Sequence, residues 1–174
     1  VSPIPVVRIM PVLGAQASGD RGRGRSVLSA DDEFVFLFMF DFGSYIERKN
    51  PLAVIRAFRQ AFPNGERARL VIKSVNGSSN LAGLAALEAA ADGEDRITLL
   101  NDYVDAEAIA DLTYACDCYV SLHRAEGTGL TMAHAMEAGK PVIATGWSGN
   151  TDFMDASNSL LVRFDLVELE RDIG

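Results

Sequence analysis

From residue 34 onward, short apolar runs alternate with segments of helical period, and that rhythm leaves few folds open to the chain. The first run, Phe34 to Phe40, is unbroken and of strand length. Asn50-Pro51 then opens an amphipathic helix to about Phe62, with Asn as the cap and Pro at the first helical position. The unit repeats as strand Leu70 to Lys73, helix Asn80 to Ala91, strand Arg96 to Leu100, and a helix from the capping Asp105 to Ala115. It continues with strand Cys118 to Leu122, helix Leu130 to Ala138 closed by Gly139, strand Pro141 to Thr145, a helical turn at Asp152 to Asp155, and strand Ser159 to Val162. Strands buried on both faces are apolar throughout rather than alternating. The expectation is therefore an α/β, Rossmann-like domain: a doubly wound parallel sheet of six strands with helices on both sides. The commonest order for such a sheet, 3-2-1-4-5-6, sets the first and fourth strands side by side and puts the ligand crevice at their carboxyl ends.

A chain of 174 residues, 48% hydrophobic and 23% charged, is sized for one globular domain with a real core. No apolar stretch approaches the roughly 20 residues of a membrane helix, so stable membrane insertion is not expected. A net charge of −8 argues against nucleic acid and anionic lipid as general partners. Any anionic ligand must be met by a few local cations. Val1 to Met10 contains Pro3 and Pro5 and lacks the pattern of a secretion signal, and the first residue is not Met, which suggests a piece of a longer protein. Residues 1–33 show little periodicity, and Gly19-Asp20-Arg21-Gly22-Arg23-Gly24-Arg25 reads as a flexible, solvated loop. We assign residues 1–33 as an interdomain linker or lead-in segment; an Arg-Gly run also suits nucleic acid, a weaker fit in so acidic a chain. Cys116 and Cys118 lack companions for a zinc site and read as buried reduced thiols at a helix-to-strand junction, in keeping with a cytoplasmic setting.

The unusual residues collect in the loops after the first and fourth strands. The first, Asp41 to Asn50, has no Gly-x-Gly-x-x-Gly, which disfavours a nicotinamide enzyme. It carries Arg48 and Lys49 at the expected start of a helix, where cations, free amides and the helix dipole together make a phosphate site. Taken alone, the two also read as ordinary surface charges. The second loop runs Ser121-Leu122-His123-Arg124-Ala125-Glu126-Gly127-Thr128-Gly129-Leu130. Its glycines let backbone approach a ligand just ahead of a helix whose unpaired amides suit a diphosphate. Glu126 there can accept from sugar hydroxyls, or simply complement the helix dipole at the surface. No cluster of His, Asp and Glu has metal-ligand spacing.

Phe40-Asp41-Phe42 with Arg48-Lys49-Asn50-Pro51, the Ser121 to Leu130 segment, and Ala135-Met136-Glu137-Ala138-Gly139-Lys140-Pro141-Val142-Ile143-Ala144-Thr145 follow one another in an order that resembles the donor-binding domain of family-four GT-B retaining glycosyltransferases. The resemblance covers roughly residues 34–164 and makes residues 34–174 a nucleotide-sugar-binding domain. It implies that Lys49, with Arg48, holds the donor diphosphate, that Glu126 contacts the donor sugar in the catalytic position, and that the amides of Gly127, Thr128, Gly129 and Leu130 meet sugar and phosphates. It also implies that Asn101, Asp102 and Tyr103 border the nucleobase, and Lys73, at the end of the second strand, joins the substrate-binding candidates. Two positions depart from the family: Ser44 stands where many relatives have an Arg, and His134 stands where they have the second glutamate of a pair, the one that accepts from the ribose. Residues 126 and 134 lie about two helical turns apart and so on nearly one side. A neutral His offers one acceptor nitrogen and a charged one none, so donor binding is expected to be weakened, altered or lost there, unless His134 is only a tolerated polar substitution.

The implied reaction is metal-independent transfer of a sugar from a nucleotide diphosphate sugar to an acceptor with retention, without a cofactor. In the family the acceptor binds chiefly to an N-terminal Rossmann-like domain, which this chain lacks, so it is expected to bind donor and transfer little. A catalytically degenerate nucleotide-sugar-binding or regulatory module is the alternative, and a GT-B epimerase acting on the nucleotide sugar a weaker one.

Overall fold

The computed structural model describes residues 18–168. In chain order the elements are α1 (Arg21–Leu28), β1 (Phe34–Asp41), α2 (Ile46–Lys49), α3 (Pro51–Ala61), β2 (Ala68–Val75), α4 (Leu81–Ala91), β3 (Ile97–Leu100), α5 (Ala106–Ala115), β4 (Cys118–Ser121), α6 (Leu130–Glu137), β5 (Val142–Thr145) and β6 (Leu160–Val162), with short 3-10 turns at Gly77–Ser79 and Gly149–Asp152. The strands form one six-stranded sheet in the order β3-β2-β1-β4-β5-β6, every pairing parallel. This is the doubly wound order expected from the sequence. The last helical turn sits at Gly149–Asp152 rather than at Asp152 to Asp155.

The unbroken apolar run of β1 is explained by its central position. Val35, Leu37 and Met39 face a core shared with α1, α5 and α6, whereas Phe38 and Phe40 face a second core with Val54, Ile55 and Phe58 of α3 and Leu87 of α4. Both faces of the strand are dry, so neither can alternate with polar residues. On the α3 side the cover thins toward β6, leaving an apolar groove of about 420 Å³ lined by Phe36, Phe58, Phe62, Val120, Ile143 and Val162 among others. Cys116 and Cys118 are free and buried where α5 passes into β4; burial pushes their thiols up, to about 12 and about 11 respectively.

The segment Gly19 to Arg25 corrects the sequence reading. It is no flexible loop: Arg21–Leu28 is a helix capped by Asp20, whose side chain accepts the Arg23 N–H at 2.9 Å. Gly24 explains how a helix of such poor propensity packs, because a Cβ there would lie 2.4 Å from the Asp111 carbonyl oxygen of α5. The three arginines bind α5 and its exit. Arg25, 5% exposed, donates to the carbonyls of Ala115, Ala30 and Glu33 at 2.6 to 2.7 Å and pairs with Asp117. Arg21 pairs with Asp117 at 2.7 Å, and Arg23 with Asp111 and Glu107 at 2.7 Å each. The readings made on residues 1–17, the absent secretion signal among them, lie outside the described residues.

Candidate donor crevice

Because β1 and β4 are neighbours, the loops leaving their carboxyl ends face one another at the point where the strand order reverses. In the first loop Asp41 accepts the Gly43 N–H at 2.7 Å and the Asn76 side-chain amide at 2.8 Å, which fixes the turn. Arg48 and Lys49 then occupy the last turn of the short helix α2, where the dipole favours cations, and not the start of a helix as the sequence suggested. Asn50 does begin α3 but does not cap it: it adopts a left-handed conformation, φ 57°, and its side chain donates to the Leu122 carbonyl at 2.8 Å. The Arg124 N–H donates to the Arg48 carbonyl at 2.8 Å. The two loops are thus stitched into one unit by main-chain and amide bonds before any charge is counted.

Their charged side chains converge. Arg48 donates to Ser44 Oγ through Nε at 3.2 Å and Nη2 at 2.6 Å, and to the Ala125 carbonyl through Nη1 at 2.9 Å. Its guanidinium lies 3.6 Å from Glu126 Oε2, and the Lys49 ammonium donates to Glu126 Oε1. The Glu126 carboxylate, its side chain 13% exposed, therefore gathers both cations. Ser148 grips the backbone of the same residue, accepting its N–H at 2.5 Å and donating to its carbonyl at 2.7 Å. Gly149 adds an N–H bond to that carbonyl at 3.2 Å and presses so close to Gly127 that a Cβ would fall 1.6 Å from the Gly127 oxygen, so only glycine fits.

Next to this group, α6 opens at Gly129, which has no side chain to cap the first turn, leaving a helix start suited to an anion. Gly127, Thr128, Gly129 and Leu130 all lie on this approach, Leu130 half-exposed at 51%. His134 falls in the last turn of α6 and is half-buried. A cavity of about 590 Å³ opens beside the loops, with Tyr45, Arg48, His123, Arg124, Trp147 and Phe164 in its lining.

The remaining sequence candidates form a second group at the ends of β2 and β3. Tyr103 is 91% exposed in the loop after β3. Asn101 accepts from Ser74 Oγ at 3.1 Å. Lys73, 2% exposed, is a buried anchor: its ammonium donates to the Ser74 carbonyl at 2.8 Å and to the Asp102 carbonyl. Burial pulls its pKa below the usual 10.5, against the attraction of Asp102.

Sequence reasoning missed how the floor of the crevice is held. His123, 1% exposed, sits between Ser121 Oγ at 3.0 Å on Nδ1 and two acceptors on Nε2, Asn150 Oδ1 at 3.0 Å and the Trp147 carbonyl at 3.2 Å. Asn150 donates to the Thr145 carbonyl at 3.0 Å, so its oxygen faces the ring and the proton belongs on Nε2. This buried chain ties the β4–α6 loop to the loop after β5 that carries Ser148. The only sequence signal was a polar residue directly after an apolar strand.

The chain matches the family described as Glycosyl transferases group 1 over residues 33–173. It belongs to that family. Among solved structures this glycosyltransferase domain is similar to the C-terminal domain of the group 1 glycosyl transferase LpcC from Francisella tularensis, with TM-score 0.69 and 20% identity over 85% of this chain and 76% of that one. It is also similar to Anabaena HepE in complex with UDP and glucose, with TM-score 0.66 and 20% identity over 83% of this chain and 40% of HepE. A third likeness is to a UDP-forming trehalose-phosphate synthase from Burkholderia xenovorans, TM-score 0.68 at 15% identity, covering 80% of this chain and 35% of the synthase. At such identities the likeness establishes the fold, and the domain spans well under two thirds of HepE or the synthase. No curated protein sequence gives a significant match. Among the described residues no group of His, Cys, Asp and Glu is placed to hold a metal ion, and no helix is long and apolar enough to cross a membrane.

Proposed function

We propose that this domain is the donor half of a retaining glycosyltransferase and binds a nucleotide diphosphate sugar across the carboxyl ends of β1 and β4. The observation that carries the reading is the convergence of Arg48, Lys49 and Glu126 beside the uncapped start of α6. Two cations and a helix N-terminus suit a diphosphate, and a carboxylate at their side suits sugar hydroxyls. Complexes of HepE with UDP-glucose support the same class of ligand for this fold.

In this reading Lys49 and Arg48, with the amides of Gly127 to Leu130, stabilise the charge that develops on the leaving diphosphate, an electrostatic contribution that needs no metal. Ser44 steadies Arg48, Glu126 orients the donor sugar, Asn101 and Tyr103 border the nucleobase over the anchored Lys73, and His134 stands toward the ribose. The acceptor and full activity belong to a second, N-terminal Rossmann-like domain, and the two free thiols fit a cytoplasmic setting. The test is hydrogen exchange with and without UDP and UDP-glucose. Protection is expected in residues 43–50 and 126–131, and protection confined to other loops removes the site. A second reading, a donor domain that has lost catalysis, is favoured by His134 at a position where the family has an acceptor carboxylate. Calorimetric titration with nucleoside diphosphates separates the two, since a degenerate module need not bind any of them.

A further inference from the structure

We infer that the Lys49–Glu126 ion pair makes the crevice discriminate between a nucleoside diphosphate that carries a sugar and one that does not; this rests on the donor-binding reading above. The Glu126 backbone is clamped at both its N–H and its carbonyl by Ser148, and again at the carbonyl by Gly149. The loop therefore cannot carry the carboxylate away from the cations as a unit. Only the side chains can exchange partners, and Lys49, on a flexible four-carbon stem, is the one free to turn.

Glu126 is the counter-ion of Lys49, with Arg48 at 3.6 Å. A diphosphate that takes Lys49 must break that pair and bring its own negative charge close to a carboxylate whose side chain is only 13% exposed. A half-buried acceptor left without its donor is costly. A sugar-bearing diphosphate repairs the loss, because its hydroxyls supply new donors to the freed carboxylate. A bare nucleoside diphosphate supplies none. Glu126 thus penalises the product of transfer more than the donor and promotes product release without a moving lid.

Calorimetric titration of the 174-residue chain tests this. The probes are UDP, GDP and ADP, each with its glucose conjugate, applied to the native protein, Glu126→Gln, Lys49→Gln, and the combination of the two. Circular dichroism checks that each variant is folded. Glu126→Gln is expected to tighten the bare diphosphate about tenfold, the scale of one charge-assisted hydrogen bond, and to lower the ratio of conjugate to bare affinity by a similar factor. Measured against Lys49→Gln, the added Glu126→Gln should give a smaller gain. An unchanged ratio with measurable binding overturns the discrimination and leaves the donor site standing, as does an equal gain for bare and conjugated ligand. No binding of any probe to native protein or variant overturns the donor site and the discrimination together.

Discussion

Two basic clusters stand out in an acidic chain, and the structure uses them in opposite ways. Arg21, Arg23 and Arg25 of α1 grip the end of α5, where Arg25 alone satisfies carbonyls of Ala115, Ala30 and Glu33 and pairs with Asp117. Arg48 and Lys49 of α2 converge on one carboxylate at the mouth of the crevice. Both clusters have internal counter-ions: three carboxylates for the three arginines of α1, and one, Glu126, for the two cations of the crevice. What differs is whether the partners are replaceable. Backbone carbonyls at the end of a helix cannot leave their cations, and a buried guanidinium among them is structural. A single side-chain carboxylate can lose its cation to an incoming anion, because the lysine that pairs with it can turn. Basic composition in a sequence does not identify a ligand site; the kind of counter-group does.

The largest effect expected from this contrast is on stability. Arg25→Met removes the buried guanidinium that serves the carbonyls of Ala115, Ala30 and Glu33 and leaves Asp117 with Arg21 and the Val35 N–H, so urea denaturation should show a loss of about 3 to 5 kcal/mol, the scale of several buried hydrogen bonds to a charged group lost together. Nucleotide affinity of the folded fraction should hardly change. A loss below about 0.5 kcal/mol, the size of an ordinary surface substitution, would mean that α1 is only a lead-in laid against the domain.

At the other cluster the expectation is reversed. Lys49→Ala should weaken nucleoside diphosphate binding by about 1.5 to 3 kcal/mol, the range for a hydrogen bond to a charged group, with little change in the urea midpoint. Equal affinity for native protein and variant would make Lys49 a solvated partner of Glu126 and nothing more.

The same contrast explains how far the sequence could be read. The strand order was legible because Phe34 to Phe40 is apolar on both faces and helices intervene at regular distance. The crevice loops were legible because Gly127 and Gly129 sit between a strand and a helix, a local pattern. Helix α1 was not: its glycines and arginines have no helical period, and its stability comes from Asp111 and Asp117 far along the chain. The family match also begins only at residue 33. His123 and Ser148 escaped for the same reason, since their partners lie on another loop. Contacts between distant segments leave no periodicity behind.

A smaller effect tests the helix that leads out of the crevice. His134→Glu restores a carboxylate able to accept from both ribose hydroxyls, and nucleotide binding should tighten by about 1 to 3 kcal/mol if position 134 reads the ribose. Titrations at about pH 6 and about pH 8 separate relief of charge repulsion, which changes with the protonation of a histidine, from a new contact, which does not. The 2′,3′-dideoxy nucleotide is the control. A gain of the same size with that ligand means the ribose is not being read.

The smallest effect is the pH dependence that Asp117 contributes in the α1 cluster. Burial pushes the Asp117 carboxyl up, but hydrogen bonds from the Val35 N–H, Arg21 and Arg25 outweigh it and hold the pKa below the usual 3.8. A carboxyl with a depressed folded pKa contributes stability that is complete above the unfolded value and disappears as pH falls through the folded one. The contribution is therefore present at pH 5 and is lost below about pH 4, where the unfolded carboxyl already binds its proton. Asp117 keeps a side-chain exposure of 20%, so water screens the pair and moderates the loss. Other carboxylates also take up protons in this range, and comparison with Asp117→Asn removes them. The urea midpoint of the native protein should fall more steeply between pH 5 and pH 3 than that of the variant, which starts lower but has no proton to take up at this position. Parallel slopes would mean that Asp117 binds its proton as readily folded as unfolded, and that α1 is held by the carbonyl contacts of Arg25 without help from the ion pair.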